Sequence, residues 1–186
     1  SSAASDVYKR QYQRRLQLLM LNLLDAPAAT VKERAVDNTV LVSPHHVSLA
    51  AGAGAADIIS VAGYPTGRHH TLIKASEARL AIQSGASEVW VSFDETLTDA
   101  NAVLSELIAI REACPDPARL GLIVPDAPLA DATLKAAHQA GYQRLIVRSR
   151  GAADCADTGA GEEGKEKGPE LAAATLPVLE FPAPAV

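Results

Sequence analysis

The chain has 186 residues, a length that suits one domain of ordinary size. Hydrophobic residues make up 48% and aromatic residues only 4%, which favours helices packed through small side chains over an aromatic-rich β-sandwich. The net charge of −5 argues against a nucleic-acid-binding protein, since phosphate affinity comes mainly from clustered Lys and Arg. The sequence has no apolar run of the roughly 18 residues that span a bilayer and no signal-peptide cleavage pattern, so we expect a cytoplasmic protein with no membrane contact.

Neither a metal site nor a bound cofactor is predicted. The two cysteines, Cys114 and Cys155, lie outside any Cys-x-x-Cys pair and are expected to be reduced thiols. His45 and His46 follow a predicted strand, but adjacent histidines usually point apart and no partner carboxylate is placed by the sequence. The dinucleotide fingerprint and the phosphate-binding P-loop are both absent.

Short apolar runs alternate with helical patterns along the chain, which is typical of repeated βα units. Residues 5–24 predict an amphipathic helix, or a helix that runs into a strand. The predicted strands cover residues 39–43, 57–62, 88–93, 120–124 and 144–148, and the predicted helices cover residues 71–84, 98–113 and 131–140. The barrel-like domain therefore takes in residues 1–150. Residues 151–170 predict a flexible loop rich in Gly, Glu and Lys, and residues 171–186 predict a last strand or a tail.

The helix of residues 71–84 has a clear apolar periodicity. The residues of its predicted buried stripe are Leu72, Ala75, Ala78, Ala81 and Ile82. Lys74 and Glu77 fall off this stripe, so we expect them to form a solvated pair on the outer face. Thr98 or Asp99 is expected to cap the next helix.

Two segments resemble the deoxyribose-phosphate aldolase family. The run VLVSPHHV (residues 40–47) is similar to the second strand of that family, typically V-C-V-[NS]-P. The run VAGYPTGRHHTLIKASEARLAIQSGASEV (residues 61–89) is similar to its third-strand turn G-[FY]-P-x-G and the helix K-A-x-E-A-x-x-A-[IV]-x-x-G-A-x-E. The match is specific over residues 40–85, and the flanking segments are compatible with it.

The resemblance implies a (β/α) TIM-type barrel, with terminal units that are incomplete or degenerate as an open alternative. Members of the family join acetaldehyde and glyceraldehyde 3-phosphate reversibly to 2-deoxyribose 5-phosphate, without a metal. A buried lysine on the sixth strand captures the carbonyl as an iminium. Such a lysine must lose its charge to attack, which burial or a neighbouring cation promotes.

The residues that carry this chemistry in the family are replaced here. The sixth-strand lysine falls on Val147, or on Arg148 after a slip of one residue, and neither side chain can form an imine. Trp90 takes the place of the fourth-strand aspartate. The seventh-strand lysine motif is not found, and Lys165 and Lys167, which remain in that region, have acidic neighbours that favour the charged ammonium.

A turn that follows the third strand is the most suggestive binding surface. Its candidate ligand-binding residues are Gly63, Thr66, Gly67, Arg68, His69 and His70. A glycine turn with cationic side chains near a helix start can hold an anion, although ordinary turn geometry is the favoured interpretation. Trp90 is expected to plug the core, where it could also fill the substrate space.

Three functions remain open from the sequence. The first is an aldolase-like protein that is catalytically impaired or diverged and acts through self-association or a binding partner. The second is a working class I aldolase with a lysine from an unexpected position. The third is a phosphosugar-binding module that uses the turn of residues 63–70. A small phosphorylated sugar or aldehyde is the expected ligand, and a homo-oligomer is compatible with all three.

Overall fold

The computed structural model describes residues 19–125, 131–148 and 176–185. Seven parallel strands form one sheet in the order β1-β2-β3-β4-β5-β6-β7, each strand paired with the next one along the chain. The strands are β1 Met20–Asn22, β2 Thr39–Leu41, β3 Asp57–Ala62, β4 Glu88–Ser92, β5 Arg119–Pro125, β6 Arg144–Arg148 and β7 Val178–Glu180. Sequential parallel pairing curls the sheet as part of a (β/α) TIM-type barrel, which confirms the predicted fold class.

Five helices connect the strands. They are α1 Ala28–Arg34, α2 Val47–Ala53, α3 Thr71–Gln83, α4 Ala100–Ala113 and α5 Asp131–Gln139, and a 3₁₀ turn, Pro44–His46, precedes α2. No helix in the described ranges is long and apolar enough to cross a membrane. The strands and the three long helices agree closely with the sequence prediction. The short α1 and α2, of seven residues each, were not predicted because too few turns are present to establish a helical period.

Strand alternation divides the buried residues into two layers. On β4, Val89 and Val91 face outward and pack with the alanines of the helices. Trp90 faces inward and belongs to an inner layer to which each of the seven strands contributes at least one residue. The inner layer consists of Met20, Leu41, Ile59, Val61, Trp90, Ile123, Ile146 and Leu179. The interior of the curled sheet is therefore a packed core rather than a channel.

Residues 176–185, here termed the closing segment, join the two edges of the sheet. Its strand β7 pairs with β6, and beyond β7 Pro184 forms a parallel bridge with Asn22 of β1. The Asn22 side-chain amide also donates to the Pro182 carbonyl at 2.9 Å. The strand β7 lies within residues 171–186, for which a last strand or a tail was predicted, and it belongs to the same sheet.

An ion network lies inside the amino-terminal end of the sheet. Glu88 is 1% exposed, and its carboxylate contacts Arg144 at 2.9 Å and Arg119 at 3.3 Å. The same carboxylate accepts a hydrogen bond of 2.7 Å from the Trp90 indole. Arg119 also contacts Asp57 at 3.2 Å. Two acidic and two basic side chains thus balance at this end, and the network fixes the indole of Trp90.

Two predicted segments lie outside the described residues. They are residues 5–18 of the first predicted helix and the predicted loop of residues 151–170. Residues 20–22 form a strand, as the alternative of a helix running into a strand requires. Asp99 caps α4, since its carboxylate accepts from the Asn101 amide at 2.9 Å. Cys114 is a buried free thiol whose pKa is raised by burial.

Replacing Glu88 with Gln should lower the free energy of unfolding by about 3 to 5 kcal/mol, because two arginines would lose their shared buried carboxylate. Urea denaturation followed by fluorescence measures the loss, and Trp90 is the only tryptophan of the chain. Asp116→Asn is the matched control. The Asp116 side chain is 92% exposed and pairs with Arg111 at 3.8 Å, so its loss should cost less than about 1 kcal/mol. Equal losses in the two variants would contradict a structural role for the network.

Candidate functional site at the carboxyl end of the sheet

The turn of residues 63–70 connects β3 to α3 and closes through a hydrogen bond from the Gly67 amide to the Gly63 carbonyl, 2.8 Å long. Gly63 and Gly67 have φ angles of 67° and 70°, a region that favours glycine. A Cβ at Gly67 would collide with the backbone of Phe93, and a Cβ at Gly63 would collide with the stem of Lys74. Both glycines are therefore required by the close approach of the turn to its neighbours.

Lys74 ties this turn to the next βα unit. Its side chain is fully buried, and its Nζ donates to the carbonyls of Gly67 at 2.7 Å and Ser92 at 3.3 Å. The third contact is an ion pair with Glu106 of α4 at 2.6 Å. The Thr71 hydroxyl donates to the same carboxylate at 3.1 Å. One ammonium group thus joins the turn, the end of β4 and α4.

The predicted solvated pair of Lys74 and Glu77 is wrong. Lys74 is 0% exposed, and the Glu77 carboxylate reaches back to the Gly63 amide at 2.8 Å. The apolar stripe is correct for the alanines, but Leu72 is 66% exposed. The prediction failed because it assumed that a charged side chain faces water. Here the ammonium group of Lys74 is buried and contacts three buried or half-buried acceptors. The spacing of Lys74 from Ala78 and Ala81 already placed it on the small-residue face.

Backbone amides of the turn are engaged within the chain. Glu77 occupies the Gly63 amide, and the Arg68 amide donates to the Thr66 hydroxyl at 3.3 Å. The His70 Nδ1 accepts from the Leu72 amide at 3.2 Å and so caps α3. These amide donors therefore already have partners within the chain, and the exposed side chains of the turn include those of Arg68, His69 and His70.

Arg68 and Asp94 form the exposed rim of the site. Arg68 is 64% exposed and contacts the Asp94 carboxylate at 3.5 Å. Hydrogen bonds from the Thr96 hydroxyl and amide lower the pKa of Asp94, and the charge of Arg68 adds to that effect. Asp94 is thereby stabilised as a carboxylate that already has partners.

The interior below this rim is filled with aromatic side chains. Trp90 is 0% exposed and meets the Phe181 ring edge-on, with a centroid distance of 5.8 Å. Phe181 comes from the closing segment and stacks on Tyr64 at 5.5 Å. The interpretation of Trp90 as a core plug is consistent with this packing. The contact of Trp90 with Phe181 was not predicted, because no local pattern relates the two residues.

The two candidate positions for the sixth-strand lysine face opposite sides of the sheet. Val147 faces outward and packs against the layer under the helices. Arg148 lies on the inward face, two residues beyond Ile146, with its guanidinium carbon 5.8 Å from the centre of the Tyr64 ring. Of the two, Arg148 alone is directed where a barrel enzyme would hold a reacting group.

The remaining candidates are dispersed around the strand ends. The His45 and His46 rings lie 5.4 Å apart in the 3₁₀ turn after β2. Among the described residues, no group of three or more His, Cys, Asp or Glu side chains has an arrangement that could hold a metal ion. Lys165 and Lys167 lie outside the described residues.

Curated proteins named deoxyribose-phosphate aldolase match the sequence. The sequence is 34% identical over 157 residues to a deoxyribose-phosphate aldolase of Frankia alni, covering 72% of this chain and 69% of that protein. It is 47% identical over 98 residues to the Corynebacterium glutamicum enzyme of the same name, covering 50% of this chain and 44% of the relative. No protein-family model matches the sequence.

A solved structure has the same fold. The deoxyribose-phosphate aldolase of Aeropyrum pernix superimposes with a TM-score of 0.56 at 23% identity, over 69% of this chain and 61% of that one. The fold defines a (β/α)-barrel protein. The extent of the match to the Frankia alni protein is decisive: this chain belongs to the deoxyribose-phosphate aldolase family. It spans less than half the length of the Corynebacterium glutamicum relative.

Replacing Lys74 with Met should lower the free energy of unfolding by about 3 to 5 kcal/mol, because the Glu106 carboxylate and two carbonyls would lose their buried partner. Adding Glu106→Leu to that variant should recover part of the loss, since it removes the unpaired charge. Lys135→Met, at an exposed position of α5, serves as the control and should change stability by less than about 0.5 kcal/mol. Equal effects of the Lys74 and Lys135 substitutions in urea denaturation would rule out the tethering role.

Proposed function

We propose that this chain is a catalytically impaired, functionally diverged member of the deoxyribose-phosphate aldolase family. The observation that carries the proposal is the identity of the inward-facing residue near the end of β6. In the family this strand supplies the amine that captures the carbonyl, and here the inward position holds Arg148. A guanidinium remains protonated and has no lone pair available to form an imine.

The buried lysine does not offer a substitute amine. Lys74 Nζ is surrounded by the Gly67 carbonyl, the Ser92 carbonyl and the Glu106 carboxylate. Three acceptors match the three N–H bonds of an ammonium group, and a nitrogen engaged in this way is not free to attack a carbonyl.

The packing of the interior supports the same conclusion. Trp90 stands where the family carries an aspartate for proton transfer, and its indole N–H is already donated to Glu88. An indole is a donor only and cannot act as a general base. Phe181 and Tyr64 complete the filling of this region. The positions for amine catalysis and for proton transfer are thus both occupied by groups without that chemistry.

Borohydride trapping tests the proposal directly. The native chain is incubated with acetaldehyde and borohydride, and its peptides are mapped by mass spectrometry. The same chain unfolded in urea supplies the background labelling of each lysine. We expect no lysine to be labelled faster in the native state than in the unfolded state, because activation of an amine requires a built site.

A lysine labelled preferentially in the native chain would contradict the proposal and identify the alternative nucleophile. Cleavage of 2-deoxyribose 5-phosphate should be absent in parallel assays. The Lys74→Met variant is informative here as well. If activity were found and survived this substitution, the amine would lie elsewhere, in Lys165 or Lys167 for instance.

A further inference from the structure

We propose that Arg148 and Ser92 form an oxyanion-binding site at the carboxyl end of the sheet, suited to the phosphate or carboxylate group of a small ligand. The inference deepens the proposed function, on which it rests, because it treats the position of the lost amine as a binding position. A cation that cannot react with a carbonyl can still hold an anion through two parallel N–H donors.

The strand register places the two residues in one layer of the interior. In a tilted barrel, inward side chains from alternate strands share a layer, and β4 and β6 are alternate strands. At the lower end the Glu88–Arg144 contact of 2.9 Å shows which residues of β4 and β6 share a layer. Two residues further along both strands, Trp90 and Ile146 belong to the same inner cluster. A second step of two residues leads to Ser92 on β4 and Arg148 on β6.

The charge of Arg148 is uncompensated among the described residues. Arg144, on the same face of the same strand, has the buried carboxylate of Glu88 as its partner. The guanidinium of Arg148, by contrast, has a single contact, with the face of Tyr64 at 5.8 Å. Contact with an aromatic face orients a cation but leaves its N–H donors available. Among the described residues, one end of the interior is therefore neutralised, and the other carries a positive charge without a carboxylate partner.

Ser92 supplies the second observation. The residue is 3% exposed, and its side-chain oxygen is buried with no hydrogen-bond partner. Buried hydroxyl groups nearly always have a partner, so an unpaired one at an inward position indicates a group that a ligand can satisfy. A hydroxyl donates readily to an oxyanion oxygen.

The surroundings strengthen such a contact. Tyr64 covers one face of the guanidinium, and Phe181 stacks on the Tyr64 ring. Arg148 is half-buried whereas Arg68 is 64% exposed, so water screens the charge of Arg148 less than that of Arg68. The site differs from the turn of residues 63–70, whose amides at Gly63 and Arg68 already have partners.

Titration with inorganic phosphate tests the site, with acetate as a second probe and chloride at matched ionic strength as the blank. Binding is measured by calorimetry and by the fluorescence of Trp90, which lies one layer below. We expect Arg148→Met to weaken phosphate binding by about tenfold or more and Arg148→Lys to restore part of it. Ser92→Ala should weaken binding by about threefold to tenfold, the effect of one hydrogen bond.

Arg79→Gln is the matched control, since it removes an exposed arginine of α3 that has no part in the site, and we expect phosphate affinity within about twofold of the unchanged chain. For each variant, the thermal midpoint is measured with and without phosphate, so that lost stability is not mistaken for lost binding. Binding that is lost in Arg79→Gln and kept in Arg148→Met would overturn the proposal, as would the absence of phosphate and acetate binding to the unchanged chain. Tighter binding of acetate than of phosphate would support the oxyanion site and identify its ligand group as a carboxylate.

The two proposals fail in distinguishable ways. A lysine trapped by borohydride refutes the loss of catalysis and leaves the phosphate titration to decide on Arg148. A chain that neither traps acetaldehyde nor binds phosphate remains an impaired family member, and only the oxyanion site is then rejected.

Discussion

The contact on which the functional end of this protein depends is the burial of the Lys74 ammonium among three acceptors. Taking a charge out of water is costly, and the cost is offset only when every N–H bond has a partner. Here the partners come from the turn after β3, from the end of β4 and from α4. The ammonium therefore couples elements that are distant in the chain, and Gly63 lacks a side chain so that the lysine stem can pass.

The two ends of the interior differ in the balance of their described charges. At the amino-terminal end, Glu88 neutralises arginines from two neighbouring strands and holds the indole of Trp90. At the carboxyl end, Arg148 lies against an aromatic ring with no described carboxylate beside it. A balanced network at the closed end stabilises the sheet, whereas the unbalanced cation lies at the end where barrel proteins bind their ligands. This asymmetry is the physical basis for expecting a bound anion without carbonyl chemistry.

Sequence periodicity was sufficient to predict the strands and helices that are long enough to show a repeating pattern. The strand of residues 57–62 and the helices α3 and α4 follow it almost to the residue. It was insufficient for α1 and α2, which are short, and for Lys74, whose burial depends on acceptors contributed by other segments. The proposed replacement of the sixth-strand lysine comes from the sequence, which left Val147 and Arg148 as two possible positions. Of these two residues, Arg148 is the one on the inward face.

The sequence by itself determined the alternation of strands and helices, the likeness to one family over residues 40–85 and the scarcity of lysine where that family needs it. These properties are local, because they depend on residue type and spacing along the chain. The tertiary structure decided which side chains meet: Phe181 with Trp90, Lys74 with Glu106, and Arg148 with Tyr64. Such meetings depend on strand register and on the curl of the sheet, which bring together residues as far apart in the chain as Asn22 and Pro182, and no local pattern encodes them.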